Sequence, residues 1–231
     1  MDRIMFAGPS GIGKTTLAKE VALKTNISFV SGSMRTLLPS TKDIPHIDML
    51  RKSKDDLYKQ DFQLLNARNK LFKDLDEFVT DRSYLDSAAY FLYKQAQEIP
   101  QCEIDNFLEL SKMLLTRQCD KLIVLDFSPW LIHNWVTEDD AKRISNNYFQ
   151  MMISSLMASV LQIWGAKLTH FYSKPNSKFW KSPTFYEHGY ELGRLSTTYG
   201  DTDILVIKEG RLEIRQSLIQ EFLDNNLVWE K

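Results

Sequence analysis

The chain has 231 residues, 43% hydrophobic and 26% charged, with a formal net charge of −1. That length suits one substantial core, and the near-neutral balance excludes a globally basic surface, so any nucleic-acid contact has to be local. Cys102 and Cys119 lack the paired spacing of a zinc or redox motif, and His46, His133, His170 and His188 are scattered without helical ligand spacing. No run of about 18 apolar residues occurs, and the amino terminus leads straight into a strand, so the expectation is a cytoplasmic protein with no membrane partner.

Ile4–Ala7 is an apolar run that ends in Gly8-Pro9-Ser10-Gly11-Ile12-Gly13-Lys14-Thr15-Thr16, after which Leu17, Val21 and Leu23 recur at roughly helical spacing. This reads as strand, glycine loop, helix. Ile27–Val30 is a second strand closed by Ser31-Gly32-Ser33, which puts Arg35 just past its carboxyl end, where open α/β sheets bind ligands. From Asp55 to Asp76, Leu57, Phe62, Leu64, Leu65, Leu71, Phe72 and Leu75 trace one face of a long helix. Glu77–Thr80 is the next strand; it delivers Asp81-Arg82-Ser83, and Ala88–Leu92 and Ile104–Leu115 read as helices. Leu122–Leu125, four apolar residues before Asp126, is a buried strand of the sheet centre. An amphipathic helix behind the Ser128–Asp140 loop carries Ile144, Tyr148, Met152, Leu156, Val160 and Ile163. Lys167–Tyr172 and Asp203–Ile207 are the last two strands expected, and Leu212–Leu223 a closing helix. Strands alternating with helices imply a mostly parallel, doubly wound sheet.

Gly8 to Thr15 satisfies G-x-x-x-x-G-K-[ST], and each position has a chemical reason. Glycines let backbone N–H groups close around phosphate oxygens, the lysine reaches the outer phosphates and the threonine hydroxyl serves Mg²⁺. The helix that starts near Lys14 adds its positive end to the same anion site. The residues expected around the phosphates are therefore Gly8, Ser10, Gly11, Ile12, Gly13, Lys14, Thr15 and Thr16. No N/T-K-x-D-like guanine-reading sequence follows a strand, and the chain is too short for the helical subdomain of larger oligomeric ATPases. Asp81-Arg82-Ser83 sets a carboxylate beside a guanidinium, suited to orienting Mg²⁺ or an acceptor hydroxyl while neutralising transferred charge.

GPSGIGKTT at Gly8–Thr16, VTDRSYLDSAAY at Val79–Tyr90 and LIVLDFSPW at Leu122–Trp130 together resemble the P-loop nucleoside and nucleotide kinases, a group that includes thymidylate kinases, deoxynucleoside kinases, the ribosylnicotinamide-kinase-like proteins and phage-borne members. The resemblance implies a P-loop NTPase fold, a three-layer α/β/α sandwich with a mostly parallel five-stranded sheet and a helical lid. It implies a single kinase domain over residues 1–231, an acceptor-binding helical region at about 33–76 and a lid at about 128–145. ATP and Mg²⁺ are the implied cofactors. Lys14, Asp81, Arg82 and Arg143 are the implied catalytic residues, with Thr15 and Asp81 at the metal. Arg35, Phe62, Gln63 and Arg68 stand where similar kinases hold the acceptor. The lid departs from the family pattern, because Trp130–Ser145 carries only Arg143 where several arginines are usual. Asp126 is either a second acid of the phosphate site or a structural residue.

The activity implied is phosphoryl transfer from ATP to a (deoxy)nucleoside monophosphate, since Arg35, Arg51, Arg68, Arg82 and Arg143 offer several groups for an acceptor phosphate. A (deoxy)nucleoside kinase is the alternative. A further one is a kinase of a hydroxymethylated pyrimidine in DNA, suggested by Lys174, Lys178 and Lys181 among Phe171, Tyr172, Phe179, Trp180 and Phe185. A regulatory P-loop ATPase is the remaining class. The partner expected is a small nucleotide or nucleoside, with DNA or a second copy of the chain as alternatives.

Overall fold

A computed structural model describes residues 2–38, 54–127, 147–172, 189–208 and 212–225. The expected lid at about 128–145, with Arg143, lies outside the described residues, as do Arg51 and all of the 171–185 stretch except Phe171 and Tyr172. In chain order the elements are β1 (Arg3–Ala7), α1 (Lys14–Thr25), β2 (Phe29–Val30), α2 (Met34–Leu37), α3 (Lys54–Phe72), β3 (Phe78–Thr80), α4 (Tyr84–Gln95), α5 (Gln101–Gln118), β4 (Lys121–Leu125), α6 (Asn147–Ile163), β5 (Lys167–Tyr172), β6 (Gly189–Thr197), β7 (Gly200–Ile207) and α7 (Leu212–Leu223).

Among the described residues the strands form one sheet of seven, ordered β2-β3-β1-β4-β7-β6-β5, rather than the five expected. The run β2-β3-β1-β4-β7 is parallel throughout, and β6 then pairs antiparallel with both β7 and β5. β6 escapes a sequence reading because Gly189, Glu191, Gly193 and Arg194 dilute its β signal. Gly193 is there for close approach: a Cβ on it would sit 2.1 Å from the Leu168 side chain and 2.6 Å from the Lys167 carbonyl oxygen across the pair.

Side chains of the central strands alternate between two helical layers, as the two-residue period of a strand requires. Met5 and Ala7 of β1, Leu122 and Val124 of β4, and Ile204 and Val206 of β7 join the core shared with α3, α4, α5 and α6. Ile4 and Phe6, Ile123 and Leu125, and Leu205 and Ile207 face the other way, onto α1 and α7. That double covering explains the unbroken apolar runs of β1 and β4 and gives the expected three layers. No helix among the described residues is long and apolar enough to cross a membrane.

The helical layer that backs the site is held by aromatic packing. Phe91 of α4 stacks on Phe107 of α5 with ring centroids 3.8 Å apart, and Phe62 of α3 meets Phe107 edge-on at 5.0 Å. α4 begins where it does because Ser83 and Asp86 form a reciprocal cap: the Ser83 backbone N–H donates to Asp86 Oδ2 at 2.8 Å, and the Asp86 N–H returns to Ser83 Oγ at 3.3 Å. Phe107, fully buried at 0% exposure, ties three helices together. Phe107→Ala is expected to cost about 3–5 kcal/mol of stability, read from urea unfolding, because the cavity cannot be refilled between stacked rings.

Candidate functional site

β1 and β3 run side by side with Met5 opposite Thr80, so the loop after β1 and the Asp81-Arg82-Ser83 turn after β3 leave the same edge of the sheet. The loop needs its glycines. Gly8 has φ +145° and a Cβ there would lie 2.5 Å from the Leu125 carbonyl oxygen, while Gly11 and Gly13 adopt φ +82° and +94°. Gly13 serves as the N-cap of α1, leaving the helix's first N–H groups directed at the anion position. The Lys14 ammonium, 4% exposed, donates to the carbonyls of Gly8 at 2.5 Å and Pro9 at 2.6 Å across the loop.

The Thr15 hydroxyl donates to Asp81 Oδ2 at 2.7 Å, which joins the two segments into one site. A cavity of about 570 Å³ opens from this contact, floored by Ser10, Gly11, Gly13, Lys14, Thr15 and Thr16. Its far wall comes from the turn after β2 with Ser31, Ser33, Met34 and Arg35, from α3 with Leu57, Gln60, Asp61, Leu64 and Arg68, and from Asp81, Arg82, Asp86, Ser87, Tyr90 and Lys94 on the β3–α4 side. Among the described residues, Asp61 Oδ2, Asp81 Oδ1, Arg82 Nη1 and Asp86 Oδ1 are buried polar atoms without a hydrogen-bond partner. Arg82 Nη1 faces Asp86 Oδ1 at 3.7 Å, too far for a hydrogen bond. Each such atom costs about 1–3 kcal/mol when nothing polar meets it, so their gathering around one cavity marks a polar ligand's site.

Of the sequence-predicted residues, Lys14, Thr15, Asp81 and Arg82 come together, and Arg35 lines the same cavity. Ile12 does not line it: 3% exposed, it packs in the core with α1 and α7. Phe62 and Gln63 do not line it either. Phe62 is packed between Tyr58 and Phe107, and Gln63 is exposed. Each helical residue turns the chain by about 100°, so a pair next to the cavity-facing stripe of Leu57, Gln60, Asp61, Leu64 and Arg68 faces elsewhere.

Arg68 reaches the cavity as part of its frame. Its Nε donates to the Gly32 carbonyl at 3.1 Å and its Nη1 to the Ser83 carbonyl at 3.0 Å and to Ser87 Oγ. Burial, opposed by the charge of Asp86, lowers its pKa to about 10, which leaves it protonated at neutral pH. Asp126 is held at the end of β4 by the Ser154 hydroxyl and by the Phe127 N–H at 2.7 Å, the arrangement of a turn-fixing residue. Phe171 stacks on Tyr190 at 5.4 Å, so it is used for packing.

Sequence reasoning missed Gln60, Asp61, Asp86, Ser87, Tyr90 and Lys94. Asp86 had a legible signal, the S-x-x-D spacing of a helix start. Asp61 and Gln60 follow from Arg68 by counting back seven and eight residues along α3. Lys94 pairs with Asp61 across two helices, a contact with no local signature. Burial pushes the Asp61 carboxyl above the usual range even with Lys94 beside it.

Thr15 and Asp81 offer hard oxygen donors, and Asp81 Oδ1 is buried and unmatched among the described residues. That set fits Mg²⁺, which is bound through one or two protein oxygens while keeping waters and phosphate oxygens. Arg68→Met is expected to lower stability by about 2 kcal/mol or more in chemical denaturation, through stranded carbonyls, whereas Gln63→Ala should stay within about 0.5 kcal/mol.

A model of the AAA domain family matches residues 3–170. Deoxyadenosine kinase from M. mycoides with the product dCMP and a flexible dCDP bound superposes with a TM-score of 0.59 at 13% identity, over 97% of this chain and 99% of that one. The same enzyme with bound dATP gives 0.57 at 13% identity over 97% and 100%. With bound dCTP it gives 0.56 at 12% over 96% and 99%. No curated protein sequence matches the chain. At these identities the likeness speaks for the fold, and the family match covers most of the chain. The chain therefore belongs to the AAA domain family and is built on the fold of the P-loop kinases.

Proposed function

We propose that the chain is an ATP-dependent phosphotransferase whose acceptor, a (deoxy)nucleoside monophosphate, sits in the cavity between the phosphate loop and α3. The observation that carries this reading is the Thr15–Asp81 hydrogen bond of 2.7 Å at the mouth of a cavity of about 570 Å³, large enough for a nucleotide beside the phosphates. The loop from Gly8 to Thr16 holds the ATP phosphates, and Lys14 leaves the carbonyls of Gly8 and Pro9 for the outer phosphate oxygens. Mg²⁺, held through Thr15 and Asp81, would neutralise charge between the outer phosphates. Asp81 also orients the attacking acceptor oxygen, and Arg82, whose buried Nη1 has no hydrogen-bond partner among the described residues, takes up charge on the transferred group. Arg35 receives the acceptor phosphate, and Arg143, in the segment read as a lid, completes the proposed catalytic set. Residues 1–231 act as one cytoplasmic kinase domain, with the acceptor region at about 33–76 and the lid at about 128–145.

A (deoxy)nucleoside kinase is favoured by one specific observation. Arg68, counted among the groups for an acceptor phosphate, spends its guanidinium on Gly32, Ser83 and Ser87, so Arg35 and Arg82 are the cavity arginines left among the described residues. One solved structure of the same fold is itself a deoxyadenosine kinase. Asp81 would then receive the proton of a sugar hydroxyl.

Labelled ATP with Mg²⁺, offered a panel of nucleosides, nucleoside monophosphates and duplex DNA with normal or hydroxymethylated pyrimidines, decides among these readings. Label on a monophosphate is the expected result; label on a nucleoside selects the second reading, and label on DNA or release as free phosphate alone rejects both. Lys14→Ala should abolish transfer in a folded protein. Asp81→Asn should keep nucleotide binding and lower turnover by about 10²-fold or more. Unchanged turnover in that variant would move the catalytic role elsewhere.

A further inference from the structure

Two side chains outside the cavity grip the outer side of the phosphate loop. Gln150, in the first turn of α6, donates from Nε2 to the Ser10 carbonyl at 2.7 Å. Arg215 of α7, 2% exposed, donates from Nη1 to the Ile12 carbonyl at 2.8 Å. They come from opposite helical layers of the sheet, and neither lines the cavity. Gln150 lies so close that a Cβ on Gly11 would meet its amide nitrogen at 3.2 Å.

A trans peptide plane fixes the consequence: when the carbonyl of one residue points one way, the N–H of the next points the other. Holding the Ser10 carbonyl outward turns the Gly11 N–H inward, and holding the Ile12 carbonyl outward turns the Gly13 N–H inward. Gly11 and Gly13 line the cavity and Ile12 does not, in keeping with that alternation. Both glycines occupy positive φ, at +82° and +94°, where glycine's wide freedom gives the peptide units little intrinsic preference for this orientation. The cost of ordering the donors is thus met by the two helices before any anion arrives.

We infer that Gln150 and Arg215 are positioning residues that preset the Gly11 and Gly13 N–H groups for the terminal phosphates of a nucleoside triphosphate. The inference rests on the proposed reading only in naming that ligand. Arg215 brings in addition a buried positive charge behind the anion site, which Gln150 does not.

The test uses the full chain and inorganic tripolyphosphate, which carries the phosphate chain with neither base nor acceptor. Affinity is measured by calorimetry, thermal midpoint by circular dichroism, and amide orientation through nitrogen-labelled glycine resonances. Gln150→Met and Arg215→Met are each expected to weaken tripolyphosphate by about tenfold, the size of one lost hydrogen bond to a pre-oriented group. The amide of Gly11 should shift most in the first variant and that of Gly13 in the second, and Arg215→Lys should recover part of the affinity. Should Arg215→Met fail to fold, Gln150→Met and Arg215→Lys keep the test intact. Unchanged affinity in a folded Gln150→Met protein, or weakening without movement of the Gly11 amide, overturns the inference. So does a wild-type protein that binds no tripolyphosphate. Binding of tripolyphosphate with the expected variant effects, but without transfer to any acceptor, would remove the kinase reading and leave the positioning role supported.

Discussion

β1 and β3 pair in parallel, with Arg3, Ile4 and Met5 opposite Phe78, Val79 and Thr80, and this register decides what can meet at the edge of the sheet. Three residues past Met5 stands Gly8, and one past Thr80 stands Asp81. A slip of one residue would exchange the faces of every side chain in β3, bury Arg82 against the sheet and carry the carboxylate away from Thr15. The register is in turn fixed by what the faces bury: Val79 belongs to the core under α1 and Phe78 to the core under α3, each 0% exposed. The hydrogen bond from Thr15 to Asp81 is thus a consequence of two apolar layers that touch no substrate.

Charge in the site is organised around that bond by a division of labour among arginines and carboxylates. Arg68 and Asp86 face inward into backbone and cap, where their hydrogen bonds hold the turn after β2, the turn after β3 and the start of α4 in one frame. Arg35 and Arg82 sit at the cavity. Arg68 and Arg82 are chemically alike and separated by geometry: the Arg68 donors are matched by two carbonyls and a hydroxyl, whereas Arg82 keeps a buried donor without a hydrogen-bond partner among the described residues that can meet a ligand oxygen.

Much of this was legible from sequence, and the boundary of legibility is physical. The phosphate loop, the central strands and the Asp81-Arg82-Ser83 turn are local patterns, in which a few adjacent residues fix both backbone and chemistry. β1 and β4 were readable because burial on both faces leaves only apolar residues. β6 was not, since its glycines answer to Leu168 and Lys167 on another strand. On α3 the periodicity disclosed a helix but not which of its faces looked at the phosphate loop. Choosing Phe62 and Gln63 in place of Gln60 and Asp61 is an error of a fraction of a turn. Asp61 and Lys94, 33 residues apart in sequence, become partners only when α3 and α4 pack.

On the proposed reading, that last pair is where selectivity for the acceptor would reside. The phosphate-loop side of the cavity is mostly backbone and conforms to any polyphosphate, so it discriminates little. The α3–α4 side presents Gln60 and Asp61, both buried, and Lys94, part-buried in its ion pair with Asp61, with Asp61 Oδ2 without a hydrogen-bond partner among the described residues. A buried pair of this kind is costly to desolvate and adds little net stability, so a plain apolar wall would serve the fold as well. On the proposed reading, an acceptor would supply the missing hydrogen-bond partner. An analogue lacking that group would leave the carboxylate oxygen stranded, and discrimination of that type is far steeper than any obtained from apolar fit alone.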